Sequence, residues 1–375
     1  MRAAATGEVS EHALPRGLVV LVGAAAAVVT CVGIKALGWL IGPVFLAWTI
    51  VIAVSPLQRW LRRHGVPKWI ATPVLVLTVY AILLSLFFTL LVSVAQLASL
   101  VPTYAAHADE FLAGLGDALA RFGVDRAELD DVLGSLDLDK LAGLLGSVLQ
   151  GAAGLVSSLV FLLSLLLFLS LEANFADARM AAIAEERPVM AASLGGFVRG
   201  TRRYLIVSTV FGLVVAALDA VALVVLGIPL PILWGLLAFI TNYVPNIGFV
   251  LGVVPPALLG LLEGGWQTML AVIVVYTVLN FVVQSLIQPR FVGGAVGLST
   301  TIAFLSLLFW AWLIGPVGAV LAVPLTLLAK ALLVDADPRA GWAAALLGVQ
   351  RPGRPPKRGA VRADVDGADG PPGHA

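Results

Sequence analysis

Apolar residues form six runs long enough to cross a bilayer: Gly17 to Ile34, Leu37 to Val54, Trp69 to Leu97, Gly151 to Leu171, Tyr204 to Leu226 and Gln267 to Ile287. Each is nearly free of charge, and at about 1.5 Å per residue the runs reach ~27 Å or more, enough to cross a hydrocarbon core about 30 Å thick. The pattern predicts six spanning helices. Two further apolar runs are interrupted from within. Asn242, Pro245, Asn246 and Gly248 break the first, Trp234 to Gly248; Gly315, Pro316 and Gly318 break the second, Phe304 to Leu325. Their halves are roughly 13 to 18 residues, or ~20 to 27 Å, so neither half spans comfortably alone. Lipid offers no partner to freed peptide groups, so such breaks persist only against protein or a water-filled cavity. Paired, interrupted short segments mark the substrate site of a secondary transporter.

Lys and Arg set the expected orientation. They collect in the loop holding Arg59, Arg62, Arg63 and Lys68, in the loop from Glu172 to Arg203, and in the tail from Arg339 onward. Cytoplasmic loops gather such charge, so these three belong inside, and the segment from Ala98 to Gln150, with three basic against nine acidic residues, belongs outside. It follows that Pro229 to Leu262 begins and ends outside and Leu298 to Lys330 begins and ends inside. Both are then hairpins, re-entrant or crossing twice, separated by an outer turn at Glu263, Gly264 and Gly265. Helix-spaced apolar positions between acids, such as Phe111, Leu115, Leu119 and Phe122, predict two amphipathic outer helices extending the neighbouring spans. Their role is packing on each other or on a sister subunit, or gating a ligand.

The organisation read this way is a cytoplasmic tail at 1–16, three spans within 17–98, outer amphipathic helices at 99–150, two spans within 151–226, a transport core with two hairpins at 227–333, and a Pro/Gly-rich cytoplasmic tail at 334–375, disordered from Arg351. No cleavage-site pattern follows the first apolar run, which reads as a retained helix.

Composition narrows the class. Sixty per cent apolar residues, a mean hydropathy of +1.01 and 12% charge leave too little polar surface for a water-soluble globule. The net charge of +1 sits in short loops and tails, so no basic face exists for nucleic acid. Cys31 is the sole cysteine, which excludes an intrachain disulfide and a Cys-based metal site. His12, His64, His107 and His374 all fall in tails or loops. No metal site, cofactor site or activated nucleophile can be assembled, so an enzyme is not expected.

Candidate chemistry lies inside the spans. Tyr276, Asn280, Gln284 and Gln288 recur every fourth position, and at 3.6 residues per turn they form one slowly winding polar stripe. Amides in lipid are costly, so the stripe faces protein or water: either interhelical glue or a surface for a neutral polar ligand. Asn242 and Asn246 flank Pro245 and either satisfy freed backbone or touch the ligand. The half-helix ends at Gly315 to Gly318 present oriented peptide groups and partial charge. Asp219 is the only acid well inside an expected span, and an intramembrane carboxylate is a candidate proton relay by default; a neutral structural Asp is the alternative. Trp39, Trp60, Trp69 and Trp266 stand at expected span ends, as an interfacial belt would have them.

The last third resembles the autoinducer-2 exporter family of bacterial inner-membrane permeases. The resemblance rests on PILWGLLAFITNYVPNIG (Pro231 to Gly248), VVPPALL (Val253 to Leu259), IQPRFVGGAVGLST (Ile287 to Thr300) and FLSLLFWAWLIGPVGAVLAVPL (Phe304 to Leu325). It implies an eight-segment topology in the plasma membrane, a homo-oligomer for which a pentamer is one option, and export of small polar molecules such as the furanosyl quorum signal, with ion antiport in some relatives. One position departs from the pattern: Gln288 stands before the Pro-Arg pair where the family often has Glu. An amide cannot change charge, so ion coupling through that position does not carry over. The chain therefore reads as an all-α polytopic membrane protein with about six full spans and two broken hairpins, a transporter exporting a small polar solute by alternating access, with a coupling ion as a further partner. A cation/proton antiporter relying on Asp219 and a non-transporting scaffold or sensor are the alternatives.

Overall fold

In a computed structural model, which describes residues 15–121, 138–244, 247–288 and 299–337, every regular element among the described residues is helical. Helix α1 (Arg16–Ala36) turns at Leu37 into α2 (Gly38–Arg63). Helix α3 (Lys68–Arg121) runs unbroken for 54 residues, well past its apolar stretch, and α4 (Leu138–Glu172) returns. A short 3₁₀ turn, Ala173–Phe175, leads to α5 (Ala176–Glu186), and Pro188 opens α6 (Pro188–Val225) at the first position, where its missing N–H costs nothing.

The interrupted segments follow. Helix α7 (Pro231–Thr241) is the first arm of hairpin one, and α8 (Gly248–Asn280) leaves its tip. Helix α8 is two arms meeting at Gly264 and Gly265, where Gly265 has φ 72° and ψ −168°, a conformation open to glycine only. Its second arm ends in a π-helical stretch, Phe281–Ile287. In hairpin two, α9 (Thr300–Ile314) stops at Gly315 (φ 83°), and α10 (Pro316–Val320), α11 (Ala322–Lys330) and a π turn at Ala331–Asp335 form the other arm.

Five helical stretches among the described residues are long and apolar enough to cross a membrane: Gly38–Arg63, Trp69–Leu97, Val156–Glu186, Pro188–Val225 and Gly248–Gln284; Val20–Ala36, Pro231–Thr241 and Thr301–Ile314 are apolar but shorter. The protein is an all-α polytopic membrane protein. Of the six expected runs, the second to the sixth correspond to these five stretches, and the first is represented by the shorter apolar helix Val20–Ala36; the sixth is the second arm of α8, beyond the non-helical Gly264–Gly265 kink. The long helices expose large apolar side chains, among them Leu77, Phe88, Phe168 and Leu213, and the four Trp residues of the expected belt are all exposed.

Both hairpins close by the same device. A Cβ at Gly248 would sit 1.9 Å from the Thr241 carbonyl oxygen, and one at Gly318 would sit 2.1 Å from the Trp310 carbonyl oxygen. Only a residue without a side chain lets the second arm press on the last turn of the first. Hairpin one packs along α6: Gly235 lies against the Ala216 carbonyl, and Leu223, Trp234, Val253, Val272 and Tyr276 form its core. Hairpin two packs on α2 and the early part of α6, with Ile314 and Val317 over Gly42 and with Leu327 over Gly200. Its core includes Phe45, Phe197, Leu321 and Leu325.

Helix α2 tolerates Pro56 because another helix repairs the ladder. Pro56 has no N–H for the Ile52 carbonyl, which instead accepts from Arg202 Nε at 3.2 Å and from Ser55 Oγ at 2.8 Å. Nearby, Gln58 Nε2 donates to Thr72 Oγ1 (3.1 Å) and to Asn174 Oδ1 (3.0 Å), tying α2, α3 and the turn after α4 together.

Candidate functional site

Helix α6 turns Ser208, Gly212, Val215, Ala216, Asp219 and Leu223 inward, one residue every three or four positions. Helix α7 approaches along this strip. At Gly212 the approach is closest, for a Cβ there would lie 2.7 Å from Asn242 Nδ2. The open groove at Gly212 lets the first residue past α7 reach the α6 backbone, and Asn242 Nδ2 donates to the Ser208 carbonyl at 2.9 Å.

The second arm of α8 supplies the opposite wall. Gln284 Nε2 donates to Asn280 Oδ1 at 2.7 Å and to Asn242 Oδ1 at 3.3 Å, while Asn280 Nδ2 donates to the Tyr276 carbonyl at 2.9 Å. Three amides thus link the hairpin tip, α6 and the α8 arm in one polar chain. Asn280 and Gln284 are neighbours because they stand one turn apart, Gln284 lying within the π-helical stretch that begins at Phe281.

Beside the amides lies a carboxylate whose oxygens accept no hydrogen bond. Asp219 is fully buried, and neither of its oxygens has a partner among the described residues; the Tyr276 hydroxyl, 1% exposed, is likewise unpartnered. Asn280 faces the carboxylate, yet its Nδ2 is committed to the Tyr276 backbone and makes no well-formed bond to Asp219. Leaving a buried polar group unsatisfied costs roughly 1 to 3 kcal/mol, more when charged. Asp219, Thr241, Asn242, Tyr276, Asn280 and Gln284 converge on one cavity, whose apolar wall includes Val215 and Phe249. Its free space is about 10 Å³, barely enough for one water.

Of the candidate residues, the fold therefore gathers Asp219, Asn242, Gly248, Tyr276, Asn280 and Gln284 at one point. Gln288 follows the π-helical stretch, half-buried, and does not line the cavity. Gly315, Pro316 and Gly318 belong to hairpin two, whose tip packs on Gly38 and Gly42 of α2 and not on this cavity. Pro245 and Asn246 lie outside the described residues. Among the described residues no three His, Cys, Asp or Glu side chains come together as a metal site.

Sequence reasoning missed the clamp that holds the tip. Tyr204 OH donates to the Tyr243 carbonyl at 3.0 Å, and the Tyr243 and Thr209 hydroxyls lie 2.6 Å apart. Thr241 also escaped notice, though its place beside Asn242 was a signal available in the sequence. Tyr204 and Thr209 gave none, since they are ordinary residues at a span end until the hairpin folds back on them.

Comparison with known proteins bears on the use of this site. The model of the "AI-2E family transporter" family matches residues 20–336. The chain is similar to the "Putative transport protein YhhT" of Escherichia coli K12, 30% identical over 342 residues that cover 91% of this chain and 97% of that protein. It is also similar to the "AI-2 transport protein TqsA" of Escherichia coli K12, 31% identical over 318 residues, 84% of this chain and 92% of that one.

Proposed function

The chain belongs to the AI-2E transporter family, and from that premise we propose that it exports a small polar solute across the bacterial inner membrane by alternating access. The solute is held between hairpin one and the α8 arm. The observation that carries this reading is the three-amide chain of Asn242, Asn280 and Gln284 ending beside the unpartnered Asp219 and Tyr276 in a single cavity.

Amides offer donors and acceptors without charge, which matches a neutral hydroxylated ligand, and the TqsA relative is named for AI-2 transport. A cavity of about 10 Å³ cannot hold such a ligand, so the arrangement corresponds to a closed state. Opening requires the tip at Asn242 and Tyr243 to leave Ser208, Tyr204 and Thr209. These contacts are few and polar, and each exchanges for water or solute at little cost. Both termini lie in the cytoplasm in this reading, with the Gly264–Gly265 kink outside and several copies assembled as a homo-oligomer.

A specific observation supports a second reading, proton or cation antiport. Asp219 is a buried carboxylate without a hydrogen bond, the group expected to pick up a proton or a monovalent cation. Reconstitution into proteoliposomes separates the two. Flux is measured for a panel containing the furanosyl signal, unrelated polyols, Na⁺ and H⁺. Solute movement that saturates and is lost in Asn242→Ala supports export. Cation exchange without movement of any solute supports antiport, and no flux of either kind overturns both.

A further inference from the structure

We propose that Asp219 and Tyr276 form a subsite for a single hydroxyl group, taken by one hydroxyl of the solute when the cavity is loaded and by one water when it is not. This rests on the reading of the cavity as the solute site, and it names the group that the solute must present. Three elements assemble the subsite: Asp219 on α6, Thr241 at the end of α7 and Tyr276 on the second arm of α8 all line the same cavity. Asp219 is 0% and Tyr276 1% exposed, and Tyr276 is fixed in the core of hairpin one with Leu223 and Val272. Five buried side-chain atoms among the described residues have no hydrogen-bond partner, and three of them, both Asp219 oxygens and the Tyr276 hydroxyl, belong to this one cavity. Buried polar groups are hydrogen-bonded as a rule, so such a concentration marks a place built for a ligand.

The donors around the cavity are largely committed. Gln284 Nε2 gives both hydrogens to Asn280 Oδ1 and Asn242 Oδ1, and the Thr241 hydroxyl gives its only one to the Ala238 carbonyl at 3.3 Å. Asn242 and Asn280 each spend one hydrogen on backbone, at Ser208 and Tyr276. Acceptors remain in excess, for both Asp219 oxygens are free and the Thr241 oxygen is used only as a donor. The Tyr276 hydroxyl supplies a free donor.

A ligand that answers both residues must donate to Asp219 and accept from Tyr276. A hydroxyl does this through one oxygen atom. An ether or ketone oxygen only accepts and leaves the carboxyl oxygens unpaired, and an ammonium only donates and has no lone pair for the Tyr276 hydroxyl. A site built around a hydroxyl rejects analogues that lack it, because its own buried polar groups are then left without partners.

The size of the space limits the subsite to one group. About 10 Å³ admits one water-sized oxygen, and water, which donates and accepts like a hydroxyl, satisfies the same two residues. Val215 and Phe249 form an apolar wall, and Gly252 stands so near that a Cβ there would lie 3.3 Å from Thr241 Oγ1. The rest of the solute must therefore lie on the side that opens when the hairpin tip moves.

The test uses the full chain in detergent and four probes that share one ring: cyclopentanol, its methyl ether, cyclopentanone and cyclopentylamine. Binding is followed by ligand-observed NMR, with the Asp219→Leu protein in the same detergent as the blank for partition into micelles. Cyclopentanol is expected to bind about 5- to 150-fold more tightly than each of the other three. Asp219→Leu and Tyr276→Phe should lose that preference, and Asp219→Asn should keep it, because the amide oxygen still accepts. Should Asp219→Leu fold poorly, Tyr276→Phe, which deletes one oxygen from a core ring, serves as the blank. A second readout needs no probe. Radiolysis generates hydroxyl radicals where ordered water sits, so Tyr276 should be oxidised in the wild-type protein despite its burial, and Asp219→Leu should suppress the oxidation. Equal binding of the alcohol and its ether, tighter binding of the ketone or the amine, no binding of the alcohol, a preference that survives in both Asp219→Leu and Tyr276→Phe, or an unoxidised Tyr276 would each overturn the inference. The export reading fails separately, if proteoliposomes move no solute while the alcohol preference stands.

Discussion

Replacing Gln284 by Leu separates a solute site from interhelical glue, because the two roles differ in size. Gln284 Nε2 makes two bonds, one within its own helix to Asn280 Oδ1 (2.7 Å) and one across to Asn242 Oδ1 at the hairpin tip (3.3 Å). Interhelical hydrogen bonds in membranes average about 0.6 kcal/mol. Pairs four residues apart on a helix contribute about 0.2 to 0.5 kcal/mol. The structural loss is therefore about 1 kcal/mol, a fall of roughly 2 to 4 °C or less in the melting temperature. A polar solute deprived of its partner in a closed cavity loses more, roughly 1 to 3 kcal/mol, which raises KM about 5- to 150-fold. Initial efflux rates from proteoliposomes loaded over a range of solute concentrations give KM, and thermal unfolding in detergent gives stability. Gln58→Leu is the matched control: that amide also makes two bonds, to Thr72 and Asn174, but far from the cavity. It should cost similar stability and leave KM alone. A Gln284→Leu protein with normal KM, or one whose transport falls only in step with its stability, refutes the assignment of the amide chain to solute binding.

Asp219→Asn should abolish any pH dependence of flux while downhill solute movement continues, since the amide keeps the shape and loses the proton; pH profiles of flux in the two proteins check this, and superimposable profiles would remove Asp219 from coupling. Gly248→Ala and Gly318→Ala should each prevent folding of a hairpin, because the new Cβ meets a carbonyl oxygen at 1.9 or 2.1 Å, and loss of monodisperse protein on gel filtration is the readout. Gly265→Ala meets no atom within 4 Å but must hold a backbone conformation that is essentially glycine's alone, roughly 1 to 3 kcal/mol, so it should lower the melting temperature without the steric block of the other two. In a Cys31→Ser background, a cysteine at Glu263, beside the kink, should react with an impermeant maleimide from outside and one at His64 only from inside; the opposite result inverts the topology. Glu263 is the better probe than Gly264, where a side chain would run into Thr268 Oγ1.

The sequence by itself determined the class. Lipid cannot satisfy a peptide group, so long uncharged runs must be helices, and their places along the chain follow from the hydropathy pattern. It also located both breaks, because Gly and Pro act on the backbone locally: Gly315 sits at positive φ, and Gly248 and Gly318 at hairpin closures. The four-residue spacing from Tyr276 to Gln284 was legible for the same reason, as a helix face follows from periodicity. What tertiary structure decided was which polar groups meet. Asn242 and Gln284 are 42 positions apart, and Asp219 reaches the same cavity only because Gly212 and Ala216 let hairpin one lie flat on α6. Nothing local tells Gly248 from Gly318, yet hairpin one brings its break to the amides and hairpin two carries its own to Gly38 and Gly42. Arg202 makes the same point, since its position in the sequence marks it only as a loop charge, while the fold places it on the carbonyl that Pro56 left free. Contacts between distant helices depend on how side-chain volumes fit face to face, and that information belongs to pairs of segments and not to either one alone.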